Sequence, residues 1–330
     1  MRLLVVVALL VGCRGEPKPA PPKQQTTTER VAAEAQGSAA ADPWNFEPTS
    51  SPDDPPSFVE RHKLADTACP IVKAPYFYRI EKAGKTSYIL GTRHLGVSLT
   101  KFPKPVHDAL AAAKLAVFEV APGDDSDLPQ QQVVLRDALG PELWSHYQEL
   151  VGKQTAQLLE STAPSVAMLA MMAMYEDISA TLDVEIEHQV QAAHVPTQGL
   201  ETAEFQDRLL NQILDLRMLR ASIKQTKDRA ELAQESKDDL VEYCAGTDDK
   251  PGMDDDMRAD MRASGYTEAE IDKIDEDMVF TRNAAWIPKL EKLLAKGDVF
   301  IAVGADHLSG PKGVVALLAK RGYTLTRVTN

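Results

Sequence analysis

The chain contains one local pattern twice, and this repeat restricts its fold more than any other feature. An apolar segment at 87–90 leads into Gly91-Thr92-Arg93-His94, and another at 299–303 leads into Gly304-Ala305-Asp306-His307. Each histidine precedes a leucine, a helical pattern and a further strand candidate. Such units join parallel strands through right-handed connections. We therefore expect an α/β fold with a mixed central sheet built from two strand–Gly-x-x-His–helix–strand units.

The pattern of apolar residues divides the folded part, predicted at 69–330, into these two units and a large insertion. Strands are predicted at 76–81, 86–90, 115–118, 195–200, 299–303 and 323–328, and helices near 103–113, 166–175 and 311–320. The insertion at 128–296 is expected to be mostly helical, with one long amphipathic helix from Phe205 onwards and an acidic loop at 248–260.

Four polar side chains follow predicted strands: His94, Glu119, Glu201 and His307. Parallel strands place their carboxyl ends at one edge of a sheet, where ligands bind in open α/β folds. Imidazole and carboxylate groups are ligands of catalytic zinc, manganese, cobalt or iron. We expect the glycine of each motif to permit a sharp turn that points its histidine inward. The sequence predicts that both histidines converge on one site.

Each of these residues also has a simpler interpretation. A histidine at a strand end is often half-buried and bonded to a backbone carbonyl, and Glu119 could pair with an arginine. Glu201 precedes an apolar helix and could help to initiate it, with Thr202 as the cap. The remaining histidines lack the strand-turn context and are interpreted as surface or packing residues: His62, His107, His146, His188 and His194.

The first residues have the features of a bacterial export signal. Arg2 precedes a short apolar run, and Leu10-Val11-Gly12-Cys13 resembles the lipobox of bacterial lipoproteins. This predicts a signal peptide at 1–12, lipidation of Cys13 and a Pro- and Ala-rich flexible linker at 13–68. Arg14 after the cysteine favours an outer-membrane anchor that faces the periplasm. An ordinary secretory signal with an incidental cysteine is the alternative.

Net charge, cysteine content and absent motifs narrow the classes of protein that fit this sequence. The net charge of −13 argues against a nucleic-acid partner, which would require a basic face. An exported chain meets oxidising conditions, so Cys69 and Cys244 are a candidate disulfide. The chain has no Gly-x-Ser-x-Gly element and no His-Glu-x-x-His element, which disfavours a serine hydrolase and a zincin.

Several short blocks together resemble the TraB–PrgY–GumN family, which includes the Tiki metalloproteases. They comprise residues 87–94, residues 117–119, Leu182-Asp183 with residues 199–202, and Arg282-Asn283 with residues 303–310. The resemblance implies a mixed α/β domain in which His94, Glu119 and His307 are metal or catalytic residues and Arg282 lies nearby. Arg93 stands where the usual pattern has an aliphatic residue.

These observations predict an envelope-tethered metal-dependent hydrolase that acts on peptide or protein substrates. His94, Glu119 and His307 would hold manganese, cobalt or zinc, and Glu119 or Glu201 would act as general base. Arg282 would bind an oxyanion or a substrate carboxylate. The alternative is a non-catalytic, lipid-anchored binding or signalling module that uses the same cleft.

Overall fold

A computed structural model describes residues 55–126, 132–247, 252–253 and 255–329 of the chain. Its strands are β1 (Phe77–Lys82), β2 (Lys85–Thr92), β3 (Leu115–Val120), β4 (Val133–Val134), β5 (Ser161–Thr162), β6 (Thr197–Glu201), β7 (Val299–Gly304) and β8 (Thr324–Arg327). The predicted signal peptide and the lipidated Cys13 lie outside the described residues.

Helices make up most of the chain between β3 and β7. The helices of the described residues are α1 (Phe58–Ala68), α2 (Lys104–Ala112), α3 (Leu135–Leu139), α4 (Pro141–Val151), α5 (Lys153–Leu158), α6 (Pro164–Met172), α7 (Leu182–Ala192), α8 (Ala203–Ile213), α9 (Leu216–Gln225), α10 (Arg229–Ala245), α11 (Asp255–Ala263), α12 (Glu268–Asp275), α13 (Thr281–Leu294) and α14 (Val314–Lys320). A π-helical turn, Glu276–Phe280, joins α12 to α13. Short 3₁₀ turns occur at Leu99–Lys101, Ala173–Tyr175 and Ala305–His307.

The central sheet has six strands in the order β6-β3-β7-β2-β1-β8. β2 and β3 each pair in parallel with β7, and β6 pairs in parallel with β3, whereas β1 is antiparallel to both β2 and β8. The prediction of an α/β fold with a mixed sheet is confirmed. Four strands therefore end at the same edge, with β7 buried along its whole length between β2 and β3.

The helical region departs from the predictions in two places. The single helix expected from Phe205 is wrong: the chain forms α8, α9 and α10, because Asp215 and Asp228 each cap a new helix by accepting a backbone N–H. The acidic segment is not a loop throughout, since α11 begins at Asp255. A two-stranded β4–β5 sheet was also not predicted.

The folded part begins before Cys69, which corrects the end of the predicted linker. Ser57 and Glu60 form a capping box that starts α1, and Arg61 of this helix is buried. Next to the end of α1, Cys69 forms a disulfide with Cys244 in the last turn of α10. The structure thus brings the two predicted cysteines together and ties the start of the domain to the insertion.

Two hydrophobic clusters stabilise the fold. One covers the sheet and includes Phe77, Ile301 and Trp286, while the other lies among the insertion helices and includes Met168, Leu219 and Val279. Within the described residues, no helix is both long and apolar enough to cross a membrane.

Candidate functional site

The predicted site residues meet at the sheet edge where β2, β3, β6 and β7 end. His94 follows β2, Glu119 and Glu201 lie at the ends of β3 and β6, and His307 ends the 3₁₀ turn after β7. The exposed fractions are 7% for His94, 7% for Glu119, 0% for His307 and 2% for Arg282 of α13, so these polar groups are almost removed from solvent. His307 Nε2 lies 3.6 Å from Glu119 Oε1.

His94 is held by an aspartate that the sequence reasoning did not assign. Its Nδ1 lies 2.7 Å from Asp183 Oδ2, and Asp183 Oδ1 accepts a hydrogen bond from Thr92 Oγ1 at 2.8 Å. Burial alone would lower the pKa of His94, but the Asp183 carboxylate outweighs it and raises this pKa to about 9. His94 Nε2 is buried and has no hydrogen-bond partner among the described residues.

His307 is held by an amide in place of a carboxylate. Asn283 Oδ1 lies 2.7 Å from His307 Nδ1, and the Trp286 ring packs on the imidazole with its centroid 4.4 Å away. Burial lowers the pKa of His307 to about 3, so its imidazole is neutral at physiological pH. The neutral ring keeps a lone pair on one nitrogen, as a metal ligand or hydrogen-bond acceptor must.

Glu119 lies between the two histidines. Oε1 accepts the backbone N–H of Gly304 at 2.8 Å, and Oε2 accepts hydrogen bonds from Arg282 Nη2 at 2.6 Å and from Gln206 Nε2 at 3.0 Å. Burial raises the pKa of Glu119, but the positive charge of Arg282 opposes this effect and lowers the pKa to about 2. The carboxylate is therefore ionised.

Arg282 uses every N–H of its guanidinium on protein groups. Nε reaches both oxygens of Glu201 at 3.1 Å, and Nη2 bonds Glu201 Oε1 and Glu119 Oε2 at 2.6 Å each. Nη1 donates to Met278 O at 2.9 Å and lies 3.2 Å from His307 Nε2. An arginine has five such donors, so in this conformation none is left for a substrate. The predicted contact of Arg282 with a substrate stays a prediction.

Glu201 is also fully engaged. Oε2 accepts Trp286 Nε1 at 3.0 Å in addition to its contact with Arg282, and burial raises the pKa of the carboxyl group although Arg282 lowers it. The next residue, Thr202, caps α8 through its contact with the Phe205 N–H at 3.2 Å. Thr202 was predicted to cap this helix if the segment initiates it, and the structure has this cap. The Glu201 side chain itself contacts Arg282.

Arg93 turns away from the sheet edge. Its Nη1 and Nη2 bond the two carboxylate oxygens of Glu176 at 2.8 and 2.9 Å, and Nη1 also donates to Leu95 O at 2.8 Å. The arginine in the first motif thus fastens the loop after β2 to the helical insertion. The histidines interpreted as surface or packing residues lie away from the site; His107 and His146, for example, approach the carbonyls of Phe102 and Thr226.

Three side chains with donor atoms of the kind that divalent cations bind face one small space. A Cβ built on Gly304 would lie 3.3 Å from Glu119 Oε1, 3.6 Å from His307 Cδ2 and 3.7 Å from His94 Nε2, so the three side chains surround one small space. Both Nδ1 atoms are bonded to side-chain oxygens, as is usual for metal-binding histidines. Among the described residues, however, no group of three or more His, Cys, Asp or Glu side chains is arranged closely enough to hold a metal ion.

The residues that sequence reasoning missed are Asp183, Asn283, Gln206 and Trp286. Asp183 and Asn283 were visible as members of the quoted blocks, but only the fold shows which histidine each contacts. Gln206 and Trp286 had no signal, because a polar or aromatic residue on an amphipathic helix does not reveal its partner across the chain.

Comparison with known proteins supports the assignment of the chain to a family. The sequence model of the TraB/PrgY/gumN family matches residues 76–327, which include both Gly-x-x-His motifs and the buried polar residues of the candidate site. No curated protein and no solved structure shows a significant match to the chain. The chain belongs to the TraB/PrgY/gumN family.

Proposed function

We propose that the chain is a metal-dependent hydrolase, and that His94, Glu119 and His307 hold a divalent cation such as manganese, cobalt or zinc. The observation that carries this proposal is the buried, unpartnered Nε2 of His94 beside the space that Glu119 and His307 also face. A buried polar atom without a partner is costly and rare in native proteins. A cation that takes the place of the Nε2 proton would give it one.

When bound, such a cation supplies Lewis acidity, which lowers the pKa of water and polarises a carbonyl. The chain's own residues orient the reaction: Asp183 and Asn283 fix the imidazole rings through their Nδ1 atoms. Among the described residues, Glu119 Oε1 accepts one hydrogen bond, from the Gly304 N–H, whereas both oxygens of Glu201 are engaged by Arg282 and Trp286. We therefore assign the role of proton acceptor to Glu119 and a positioning role to Glu201.

The reaction class follows from this assignment. Water adds to a carbonyl carbon, its proton passes to Glu119, and the same proton is then given to the leaving nitrogen as the C–N bond breaks. A peptide or protein substrate rests on the family resemblance of the motif blocks to the Tiki metalloproteases. Attachment to the cell envelope rests on the lipobox-like segment that ends at Cys13.

The test measures metal content and peptide hydrolysis in the full chain with Cys13→Ser. We expect one divalent cation per chain in the parent protein and loss of both cation and turnover in His94→Ala and His307→Ala. His188→Ala is the matched control, because His188 is exposed and lies outside the site. Full metal retention with unchanged turnover in both site variants would contradict the proposal.

A second function is favoured by the saturation of Arg282. A guanidinium with all five donors paired to protein groups is typical of a structural ion network, which a lipid-anchored binding or signalling module would also have. Such a module would bind an envelope partner at the same sheet edge without stoichiometric metal and without turnover. The metal measurement above therefore separates the two functions.

A further inference from the structure

We propose that a methionine-lined cavity in the helical insertion binds an apolar side chain of a positively charged peptide. The cavity is open to solvent, and its volume counted out to the mouth is about 460 Å³. It lies among α6, α9, α11 and α12, so it is a different site from the sheet edge and does not depend on the metal-dependent function proposed above. The long apolar side chains in its lining are Met168, Met218, Met253, Met257, Met261 and Ile274.

The methionines of the cavity differ in burial between its floor and its mouth. Met168, Met218 and Met261 are 2%, 7% and 2% exposed, whereas Met253 and Met257 are half-buried. A methionine side chain is unbranched and polarizable, so it either fills gaps in a core or forms a surface that adapts to apolar ligands. Here methionines from three helices leave a space between them that is open to solvent, which favours the second role.

The rest of the lining is small or polar and leaves the methionines as the main contact surface. It consists of Ala221, Ser222, Gln225 and Asp260, and Gln225 Nε2 donates to the backbone carbonyl of Asp260 at 3.5 Å. Ligand pockets of roughly 300–1,000 Å³ typically have such apolar walls with a few polar groups that orient the ligand. An aliphatic or aromatic side chain is therefore the group that fits inside, while polar parts of the ligand stay at the mouth.

One wall of the cavity carries an excess of negative charge. Residues 255–277, which supply Met257, Met261 and Ile274, contain nine Asp and Glu against three Lys and Arg, which is a net charge of −6 out of −13 for the chain. The exposed Asp260 of this wall lines the cavity itself. The three basic residues of α9 on the other wall reduce the excess but do not cancel it: Arg217, Arg220 and Lys224.

This charge selects among the apolar ligands that could enter. A fatty-acid anion would bring a negative headgroup to an acidic wall, and a second copy of this chain would bring its own net charge of −13. Both meet repulsion, since like charges at an interface oppose association. A peptide with lysine or arginine on either side of an apolar residue gains both apolar burial and attraction to the wall.

The helix that carries Ile274 continues to Arg282 at the sheet edge. α12, the π-helical turn and α13 follow one another without a break, since Glu276, Phe280 and Thr281 all have right-handed helical dihedral angles. At 1.5 Å per residue, Ile274 and Arg282 lie roughly 12 Å apart along the helix. About four extended residues span this distance. A peptide anchored in the cavity is therefore long enough to extend towards the sheet edge, as a substrate or as a partner.

The test uses the full chain with Cys13→Ser and a fluorescein-labelled peptide, Lys-Lys-Leu-Leu-Lys-Lys, whose binding is followed by fluorescence anisotropy. The initial anisotropy is read, so that later cleavage of the probe does not enter. We expect this peptide to bind about tenfold more tightly than Glu-Glu-Leu-Leu-Glu-Glu or Lys-Lys-Ser-Ser-Lys-Lys. Equal binding of the Glu peptide would contradict the role of the acidic wall, and equal binding of the Ser peptide would contradict the apolar anchor.

A matched pair of variants places the peptide in the cavity. Met257 and Met172 are both half-buried against the helical cluster, but among the described residues Met257 lines the cavity and Met172 does not. We expect Met257→Gln to weaken binding of the lysine–leucine peptide about tenfold and Met172→Gln to leave it unchanged. An unchanged affinity in Met257→Gln, or equal losses in both variants, would overturn the location of the site.

The two other occupants are outcomes of the same experiment. Decanoate that binds more tightly than the lysine–leucine peptide and displaces it would overturn the proposal in favour of a lipid chain. A dimer of the parent chain in sedimentation, lost in Met257→Gln and kept in Met172→Gln, would overturn it in favour of a second copy. We expect weak binding of decanoate and the same mass for all three chains.

Discussion

Two histidines of this chain have the same kind of partner at the same distance, yet their surroundings differ. His94 Nδ1 lies 2.7 Å from Asp183 Oδ2, and His62 Nδ1 lies 2.7 Å from Asp177 Oδ2. The His62 side chain is 55% exposed and its Nε2 faces Asp66, whereas His94 Nε2 is buried without a partner. The Asp–His pair alone therefore does not identify a site. The two histidines differ in the surroundings of the second ring nitrogen, Nε2.

This pair of contacts gives a matched test of the role of Asp183. In metal-binding sites, loss of the group that orients a histidine typically lowers metal affinity about 10–100-fold. We expect Asp183→Asn to weaken Zn²⁺ or Mn²⁺ binding by that factor, measured by equilibrium titration. Asp177→Asn removes the equivalent carboxylate from the exposed His62, away from the candidate site, and should leave the affinity unchanged. Equal affinity losses in both variants would indicate a general effect on folding.

The contact between His62 and Asp177 predicts that the stability of the fold depends on pH. The hydrogen bond to Asp177 and its charge raise the pKa of His62 above its ordinary value of 6.5. A raised pKa in the folded state means that the contribution to stability is complete below about pH 6.5 and is lost as the pH rises through the folded-state value. Because the His62 side chain is 55% exposed and its charge is screened by solvent, this contribution should stay below about 1 kcal/mol.

We therefore expect the parent chain to be more stable than His62→Gln at pH 5.5 and equally stable at pH 9, as measured by denaturant unfolding. His188→Gln, at an exposed histidine of α7, is the control and should show no such difference between the two pH values. A difference that grows with pH would have the wrong sign and would contradict the assignment.

At the scale of secondary-structure elements, Gly91 and Gly304 of the two Gly-x-x-His motifs differ in why a side chain would not fit. Neither has a positive φ, so the predicted need for an unusual turn is wrong. A Cβ on Gly91 would lie 2.9 Å from the backbone of Ala305 and from the side chains of Tyr76 and Leu308. At Gly304 the closest atom is Glu119 Oε1, at 3.3 Å. Gly91 allows β2 to pack closely, and Gly304 leaves the site open.

Substitution by alanine should separate these reasons. We expect Gly91→Ala to lower the free energy of unfolding by roughly 1–3 kcal/mol, as overpacking does. Gly304→Ala should unfold at nearly the parent denaturant concentration but lose metal binding, because its methyl group fills the space between His94, Glu119 and His307. Denaturation and metal titration of both variants decide this, and a Gly304→Ala chain that binds metal normally would contradict the location of the site.

The disulfide links two elements that are distant in sequence. Cys69 follows α1 and Cys244 lies in α10, with a sequence separation of 175 residues. On the chain-entropy account, a loop of this length contributes at most about 5 kcal/mol to stability. We expect Cys69→Ser with Cys244→Ser to lower the unfolding midpoint clearly in non-reducing denaturation. Under reducing conditions the parent chain should approach the double variant, and equal midpoints without reductant would contradict the bond.

The sequence predicts those elements whose signals are local. The apolar runs of β3 and β7 and the repeated Gly-x-x-His turns indicate parallel strands, and parallel strands force His94, Glu119 and His307 to one edge. The breaks after α8 and α9 were missed because a continuous amphipathic pattern hides the caps at Asp215 and Asp228. The five-donor arrangement of Arg282 was also invisible, since its partners come from four separate segments.

For the whole molecule, α13 connects the two hydrophobic clusters. Val279, in the π-helical turn just before α13, belongs to the helical cluster, and Trp286 belongs to the sheet cluster. Arg282 lies between them in the chain and joins Glu119 and Glu201, the end groups of β3 and β6. A buried guanidinium between two carboxylates is costly to remove. The same residue thus supports the junction of the clusters and the candidate site.

Attachment of the molecule to a membrane is the prediction that concerns the chain beyond its folded part. Leu10-Val11-Gly12-Cys13 predicts a lipid on Cys13, and a lipid chain contributes roughly 0.8 kcal/mol per buried CH₂ to membrane binding. We expect a labelled fatty acid to be incorporated into the parent chain in a bacterial host, and the protein to sediment with the outer membrane. Cys13→Ser should carry no label and remain in the supernatant, whereas Cys69→Ser with Cys244→Ser should still be labelled because Cys13 is intact. Label on the Cys13→Ser chain, or none on the parent, would show that Cys13 is not the anchor.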